Sequence, residues 1–195
     1  MPTNIIQPSG ADAALEKLRL KLASALPFVT AYGEAELLYK GSGRARERVW
    51  ALYTGTDSQA GYTELMPSHS LGGFCFFTLA TAQASGVATG LLNAMAKMTA
   101  QASLVIFWDY RVAFPDDHHQ RTVRHVERLA AAALTAPIER TLVVTLKGTA
   151  TEFGEVFRPA RLTETDQLVM RRPYGCLRVD FTLEFNPFSL TQNPC

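Results

Sequence analysis

Apolar and polar residues alternate without a break from Leu177 to Phe185. Leu177, Val179, Phe181, Leu183 and Phe185 fall on one side of the repeat. Arg178, Asp180, Thr182 and Glu184 fall on the other. A period of two is the signature of a half-buried β-strand, with one face on a core and the other wet or in a partner. A helical period governs two other stretches. From Ala11 to Leu26, the residues Leu15, Leu18, Leu22 and Leu26 form a stripe, with Glu16, Lys17, Arg19 and Lys21 mostly off it. Ser9 or Asp12 could cap this helix, and Pro27 stops it. From about His118 to Leu134, the stripe is Val123, Val126, Ala130, Ala133 and Leu134, with Asp116 or Asp117 as the expected N-cap and Pro137 as the stop.

Between the helices the pattern predicts strands. Ala35 to Lys40 and Arg46 to Thr54 flank Gly41-Ser42-Gly43, a turn signal, and so predict a β-hairpin with Val49, Ala51 and Tyr53 on one face. Tyr62 to Met66 predicts a short strand ended by Pro67, and Gly73 to Leu79 a buried one. Ser103 to Trp108 is continuously apolar apart from its first residue, which suits a central strand covered on both faces. Arg140 to Lys147 predicts a further strand and Glu152 to Phe157 a short helix closed by Pro159. Ala80 to Gly90 carries no clear pattern, and Leu91 to Met98 fits either a helical turn or a strand.

The order is helix, β-rich stretch, helix, strand, short helix, strand. Regular βαβ units with glycine-rich phosphate turns are absent from the sequence, which argues against a doubly wound nucleotide fold. The expected class is α+β, with a mixed or antiparallel sheet and two main helices packed on one face. Residues 1–10 read as a flexible N-terminal arm, 11–188 as a single domain and 189–195 as a C-terminal tail.

The chain has 195 residues, 47% of them hydrophobic and 19% charged, which is enough to build a core and argues against global disorder. A net charge of +1 leaves no electrostatic footprint for bulk nucleic-acid or membrane-surface binding. Three cysteines, Cys75, Cys176 and Cys195, are too few and too widely spaced for a disulfide framework or a metal ribbon. Cys75 and Cys176 read as small buried hydrophobes, which predicts a reducing, cytoplasmic compartment. Residues 1–10 lack the basic and apolar regions of a secretory signal, and no uncharged apolar stretch approaches the ~20 residues of a bilayer span.

Candidate chemistry is sparse. His118, His119 and His125 lie beside Asp116 and Asp117, but a zinc-binding helix would set two histidines four apart with a glutamate in place. Ser68-His69-Ser70 sits in a turn-like context, and catalytic triads assemble in space rather than in sequence. Asp180 and Glu184 are two pleats apart on one strand face, roughly 13 Å, wider than a glycosidase pair. No metal or other cofactor is expected. Arg158, Arg161, Arg171 and Arg172 form a basic segment before the last strand. It would dock an acidic partner, face DNA, or pair with Glu152, Glu155, Glu164 and Asp166. The aromatics Phe74, Phe76, Phe77, Phe107, Trp108 and Tyr110, with His69 and His118, would line a pocket or simply fill the core.

Three segments carry a resemblance: Phe157-Arg158-Pro159-Ala160-Arg161-Leu162, Thr165 to Met170, and Pro173 to Phe181. Together they resemble the C-terminal part of small proteins encoded in bacterial prophage-like gene clusters. Pro67 to Phe74 is similar to a Pro-Asp-x-x-Leu-Gly-x-Phe-type segment of the same group. The element order is similar to that of phage tail-terminator proteins, α+β domains that form a ring at the end of the tail tube. The resemblance implies a non-enzymatic, homo-oligomeric ring subunit, with the tail tube or neck proteins as further partners and neither a membrane nor a specific nucleic acid among them. A ring subunit presents two unlike patches to its neighbours. The expected interaction surface is the polar face of the last strand (Arg178, Asp180, Glu184), the run-in Arg171 and Arg172, and the hairpin tip Arg44, Arg46 and Arg48. Replacing Arg178 with Glu is expected to weaken assembly and leave the fold intact.

Overall fold

The computed structural model describes residues 10–42, 46–53, 61–67, 72–80, 83–84, 97–138, 142–160 and 172–186. Helix α1 spans Ala11–Ala25 and is followed by strands β1 (Thr30–Glu34), β2 (Glu36–Lys40), β3 (Glu47–Tyr53), β4 (Tyr62–Glu64), β5 (Gly73–Leu79), β6 (Gln83–Ala84) and β7 (Met98–Asp109). Helices α2 (Tyr110–Ala113) and α3 (Val123–Thr135) come next, then β8 (Leu142–Ala150), α4 (Phe153–Val156) and β9 (Tyr174–Phe185).

The main sheet runs β1-β5-β7-β9-β8, with β6 also on β7. Its β1–β5 pair is parallel and the rest are antiparallel. The sheet is therefore mixed and the fold is α+β. Strand β7 is central, and its twelve residues pair from end to end with β9, Met98 opposite Phe185 and Asp109 opposite Tyr174. A second antiparallel sheet, β2-β3-β4, was not expected from the sequence as a separate layer. It grows from the predicted hairpin, whose register runs from Glu36 opposite Ala51 to Lys40 opposite Glu47. Gly41, in its turn, has a φ of 90°, a left-handed conformation that favours glycine.

The two main helices pack on one face of the main sheet. Leu15, Leu18, Leu22 and Leu26 from the α1 stripe are buried with Val126, Ala130 and Leu134 of α3. They lie against Cys75, Phe77, Leu104, Ile106, Trp108, Leu177, Val179, Phe181, Leu183 and Phe185. Each fully buried Leu or Phe contributes about 1.5–3 kcal/mol relative to exposure. Lys21 ties the helices together, its Nζ donating to the carbonyls of Ala136 (2.8 Å) and Pro137 (2.6 Å) just past the C-terminus of α3. Gly175 leaves room for Trp108: a Cβ there would come within 2.5 Å of the indole ring.

The other face is covered only in part. Phe74, Phe76, Val105, Phe107, Tyr174 and Cys176 are buried beneath Trp50 and Leu52 of the second sheet and Val156 and Phe157 of the α4 region. Further along the same face, the side chains are polar.

Several local expectations are corrected. α1 is capped by Gly10 with no side-chain cap hydrogen bond, so Asp12 is not its cap; Ser9 lies outside the described residues. α3 begins at Val123 rather than near His118, and its N-cap is Thr122, again with no side-chain cap bond. Asp117 instead pairs with Arg121 at 2.8 Å within the preceding turns. In β3, Val49 and Ala51 are buried, but Trp50 and Leu52 are the residues that face the main sheet. β9 begins at Tyr174, three residues before the alternation becomes visible. The expected C-terminal tail, residues 1–9 of the expected arm, most of the stretch 80–96 and residues 161–171 lie outside the described residues. No described helix is long and apolar enough to cross a membrane.

Candidate functional site

A groove of about 820 Å³ lies on the partly covered face of the main sheet. Its floor is polar because β7 and β9 place their alternate side chains there: Gln101 and Ser103 from β7, Asp180 and Thr182 from β9. One wall is Glu34, Ala35, Glu36 and Leu37, where the chain leaves the main sheet at β1 and enters the second sheet at β2. Trp50 lines the groove from β3, and Lys147 lines it from β8. Lys147 falls at an irregularity in the β8–β9 ladder, where Leu146 pairs with Phe181 and Gly148 with Asp180. A bulge of this kind re-aims a side chain.

The floor is held by a small polar network. Ser103 Oγ donates to Asp180 Oδ1 at 2.6 Å, and Arg178 Nε approaches Asp180 Oδ1 at 3.1 Å and Oδ2 at 3.3 Å. Arg178 Nη1 also donates to the Glu155 carbonyl at 2.5 Å, so the guanidinium bridges β9 to the end of α4. The Arg178 side chain is only 22% exposed. It therefore supports the fold, and its replacement by Glu no longer qualifies as a purely surface change. Glu184, near the end of β9, lies 3.8 Å from Lys97.

The wall is acidic. Burial pushes the Glu34 carboxyl up from the usual range, and the nearby charges of Asp12 and Glu36 push it the same way. Glu34 makes no ion pair among the described residues. Glu36 Oε2 is reached by the Tyr62 hydroxyl at 3.4 Å. Trp50 is 7% exposed, rests against Phe76 with 5.7 Å between ring centroids, and has a buried Nε1–H with no acceptor among the described residues.

The other expected site residues are scattered. Arg46 and Arg48 are exposed at the hairpin tip, where Arg48 Nε donates to the Tyr39 hydroxyl at 3.1 Å. Lys40, beside them, pairs with Glu64 at 2.8 Å. Arg44 and Arg171 lie outside the described residues. Arg172 sits with its guanidinium 5.9 Å from the Tyr110 ring centroid, at a second cleft of about 810 Å³ also lined by Arg124, Glu127, Thr149 and Tyr174. Arg158 is 3.9 Å from Glu155, one of the acidic partners expected for that basic segment. The three arginine sites, on β9, at the cleft and on the hairpin, do not converge.

The aromatic pocket expected as an alternative is mostly core: Phe74, Phe76, Phe77, Phe107 and Trp108 are buried, and Tyr110 borders a cleft. His69 and Ser68 lie outside the described residues. His118 and His119 face each other at 3.7 Å, and His125 packs on Phe114 at 5.3 Å. Among the described residues, no three His, Cys, Asp or Glu side chains are grouped to hold a metal ion. Burial pushes the Cys75 thiol up to about 12 and raises that of Cys176 as well, so both are unreactive.

One buried charge was missed in the sequence reading. Asp109, 6% exposed, ends β7 and caps α2. Its Oδ1 accepts from the Arg111 backbone N–H at 2.8 Å, and its Oδ2 accepts from Arg111 Nη2 at 2.6 Å. Burial alone would raise its pKa, but the bonds from Arg111 outweigh that and hold it below the usual carboxylate range. Glu34, Glu36 and Ser103 were missed as well. The signal for Ser103 was present: Thr99, Gln101 and Ser103 alternate with Ala100, Ala102 and Leu104, which marks one face of β7 as polar.

Against protein-family models the chain finds no match, and no curated protein matches it.

Proposed function

We propose that this protein is a non-enzymatic assembly subunit of a phage tail or prophage-like particle, tail-terminator-like, which works as a homo-oligomeric ring in contact with the tail tube or neck proteins. The observation that carries this reading is the outer edge of β8. That strand ends the main sheet, is nine residues long, and pairs only with β9 among the described residues. Its edge therefore offers a row of backbone donors and acceptors to another chain. Val143, 48% exposed, and Thr145 sit opposite Glu184 and Thr182 on the open face, so edge and face form one surface. The bulge and Lys147 close off its far end, as protective devices on sheet edges do. This confines pairing to the 142–146 end and would favour one register over indefinite stacking. A ring needs such a directional contact.

A second reading, a small-molecule-binding or enzymatic domain, draws on the 820 Å³ groove, which the Trp50 ring helps to line. Light scattering behind size-exclusion chromatography, over a concentration series, separates the two. The ring reading expects a mass several-fold above 21.4 kDa that persists on dilution. A monomer throughout would remove it and leave the groove reading.

A further inference from the structure

Two charged features on this chain have opposite sign and lie at opposite ends of one hairpin. At its base, Glu34 and Glu36 line the groove with Asp180, whose charge Arg178 already pairs, and Lys147 is the one cation among the described lining residues. Glu34 is half-buried and makes no ion pair among the described residues, a costly placement for a carboxylate without compensation. At the tip, Arg46 and Arg48 are exposed beside Lys40, which pairs with Glu64, and Glu47 is the acidic residue between the two arginines.

The tip cannot reach the groove of its own chain. Glu36 and Lys40 are the two ends of β2, paired with Ala51 and Glu47 at the two ends of the ladder. At about 3.3 Å per residue, four steps separate them by roughly 13 Å along a paired, stiff hairpin. Only another molecule can bring these charges together.

We infer that the groove between β1–β2 and the β7–β9 floor is the receptor for the basic β2–β3 hairpin tip of a second copy of this chain, so that subunits join head to tail. The inference rests on the homo-oligomer reading above and specifies its contact. Guanidinium groups of Arg46 and Arg48 meet Glu34 and Glu36, the fit of a planar donor fork to carboxylates. The two patches are unlike, so the contact is heterologous and leaves each open chain of subunits with one free groove and one free tip, at its two ends, until a ring closes.

The test uses two charge-reversed full-length variants. One carries Glu34→Lys with Glu36→Lys, and the other Arg46→Glu with Arg48→Glu. Wild type and variants are compared by light scattering at low salt, with thermal melts to confirm folding. Each variant alone is expected to run as a 21.4 kDa monomer. Mixed, they retain one intact groove and one intact tip, and are expected to form a one-to-one dimer of about 43 kDa, twice the chain mass. If the lysine pair fails to fold, Glu34→Gln with Glu36→Gln replaces it and is expected to weaken self-association roughly tenfold. A wild-type oligomer that both variants preserve overturns the tip-in-groove contact and leaves the ring reading standing. Two monomeric variants whose mixture stays monomeric also overturn it. A wild type that is monomeric at every concentration overturns the ring reading itself, and this inference with it.

Discussion

The two faces of the main sheet are built from the same strands and follow opposite rules. On the helix face every inward position is apolar, from Cys75 and Phe77 through Leu104, Ile106 and Trp108 to the alternating row of β9, and α1 and α3 cover it. The opposite face changes character along its length. At one end Phe74, Phe76, Phe107 and Tyr174 are roofed by the second sheet and α4. At the other, Ser103, Asp180 and Thr182 floor a groove. Both ends of this face occupy the same alternate positions of β7 and β9. The helix face therefore carries stability, and the polar half of the other face is where sequence is spent on something else. Surface polar residues without a structural tie cost little to change, whereas core truncations cost several kcal/mol.

The largest expected contrast comes from Trp108→Ala, on the helix face. Loss of this fully buried ring should cost about 3–5 kcal/mol, read by urea denaturation. A loss under ~1 kcal/mol would mean that the helix face is not the core. Arg178→Glu probes the boundary between the two halves of the other face. It removes the ion pair with Asp180 and the bond to the Glu155 carbonyl, and it sets two carboxylates together. We expect a loss of about 1–3 kcal/mol, intermediate between core and open surface. Stability equal to wild type would show that β9 and α4 need no such bridge.

The smallest effect is a gain. Glu34 has a raised carboxyl pKa in the folded chain, so the folded state holds its proton more tightly than the unfolded state does. Its ionisation therefore costs stability: the favourable contribution is complete below the ordinary glutamate pKa and is lost as pH rises through the folded value. Glu34→Gln should accordingly be slightly more stable than wild type near neutral pH, with the difference vanishing as pH falls towards the ordinary glutamate range. Melting curves over that pH interval check this. A variant less stable than wild type at neutral pH would show that Glu34 has a favourable partner in the free chain.

Much of the scaffold was legible in the sequence. The leucine stripe of α1, the apolar run of β7 and the alternation of β9 each named the face that is buried. Alternation reports which side of a strand is apolar, however, not what covers the other side. The polar side of β9 was read as one surface, yet Cys176 lies under the α4 region, Arg178 ties to α4, and only the residues beyond them reach the groove. Long-range placement sets that division, because the roof comes from β3, more than a hundred residues away in sequence. Helix starts were misjudged for a local reason: Asp116 and Asp117 have the chemistry of caps, but Asp117 is engaged by Arg121 in a run of turns, and α3 waits until Val123. Of the site, the hairpin arginines and Asp180 were visible. Glu34 and Glu36 were not, because only the bend from one sheet to the other turns them into a wall.

Self-association through the open end of β8 is tested most directly by hydrogen–deuterium exchange over residues 142–146, measured across a dilution series of the wild-type protein. If that edge pairs with a neighbouring subunit, deuterium uptake there is slow at high concentration and accelerates on dilution into monomers, while the central strand β7 stays protected throughout. Uptake in β8 that ignores concentration, in samples whose mass shows assembly, would contradict an interface at this edge.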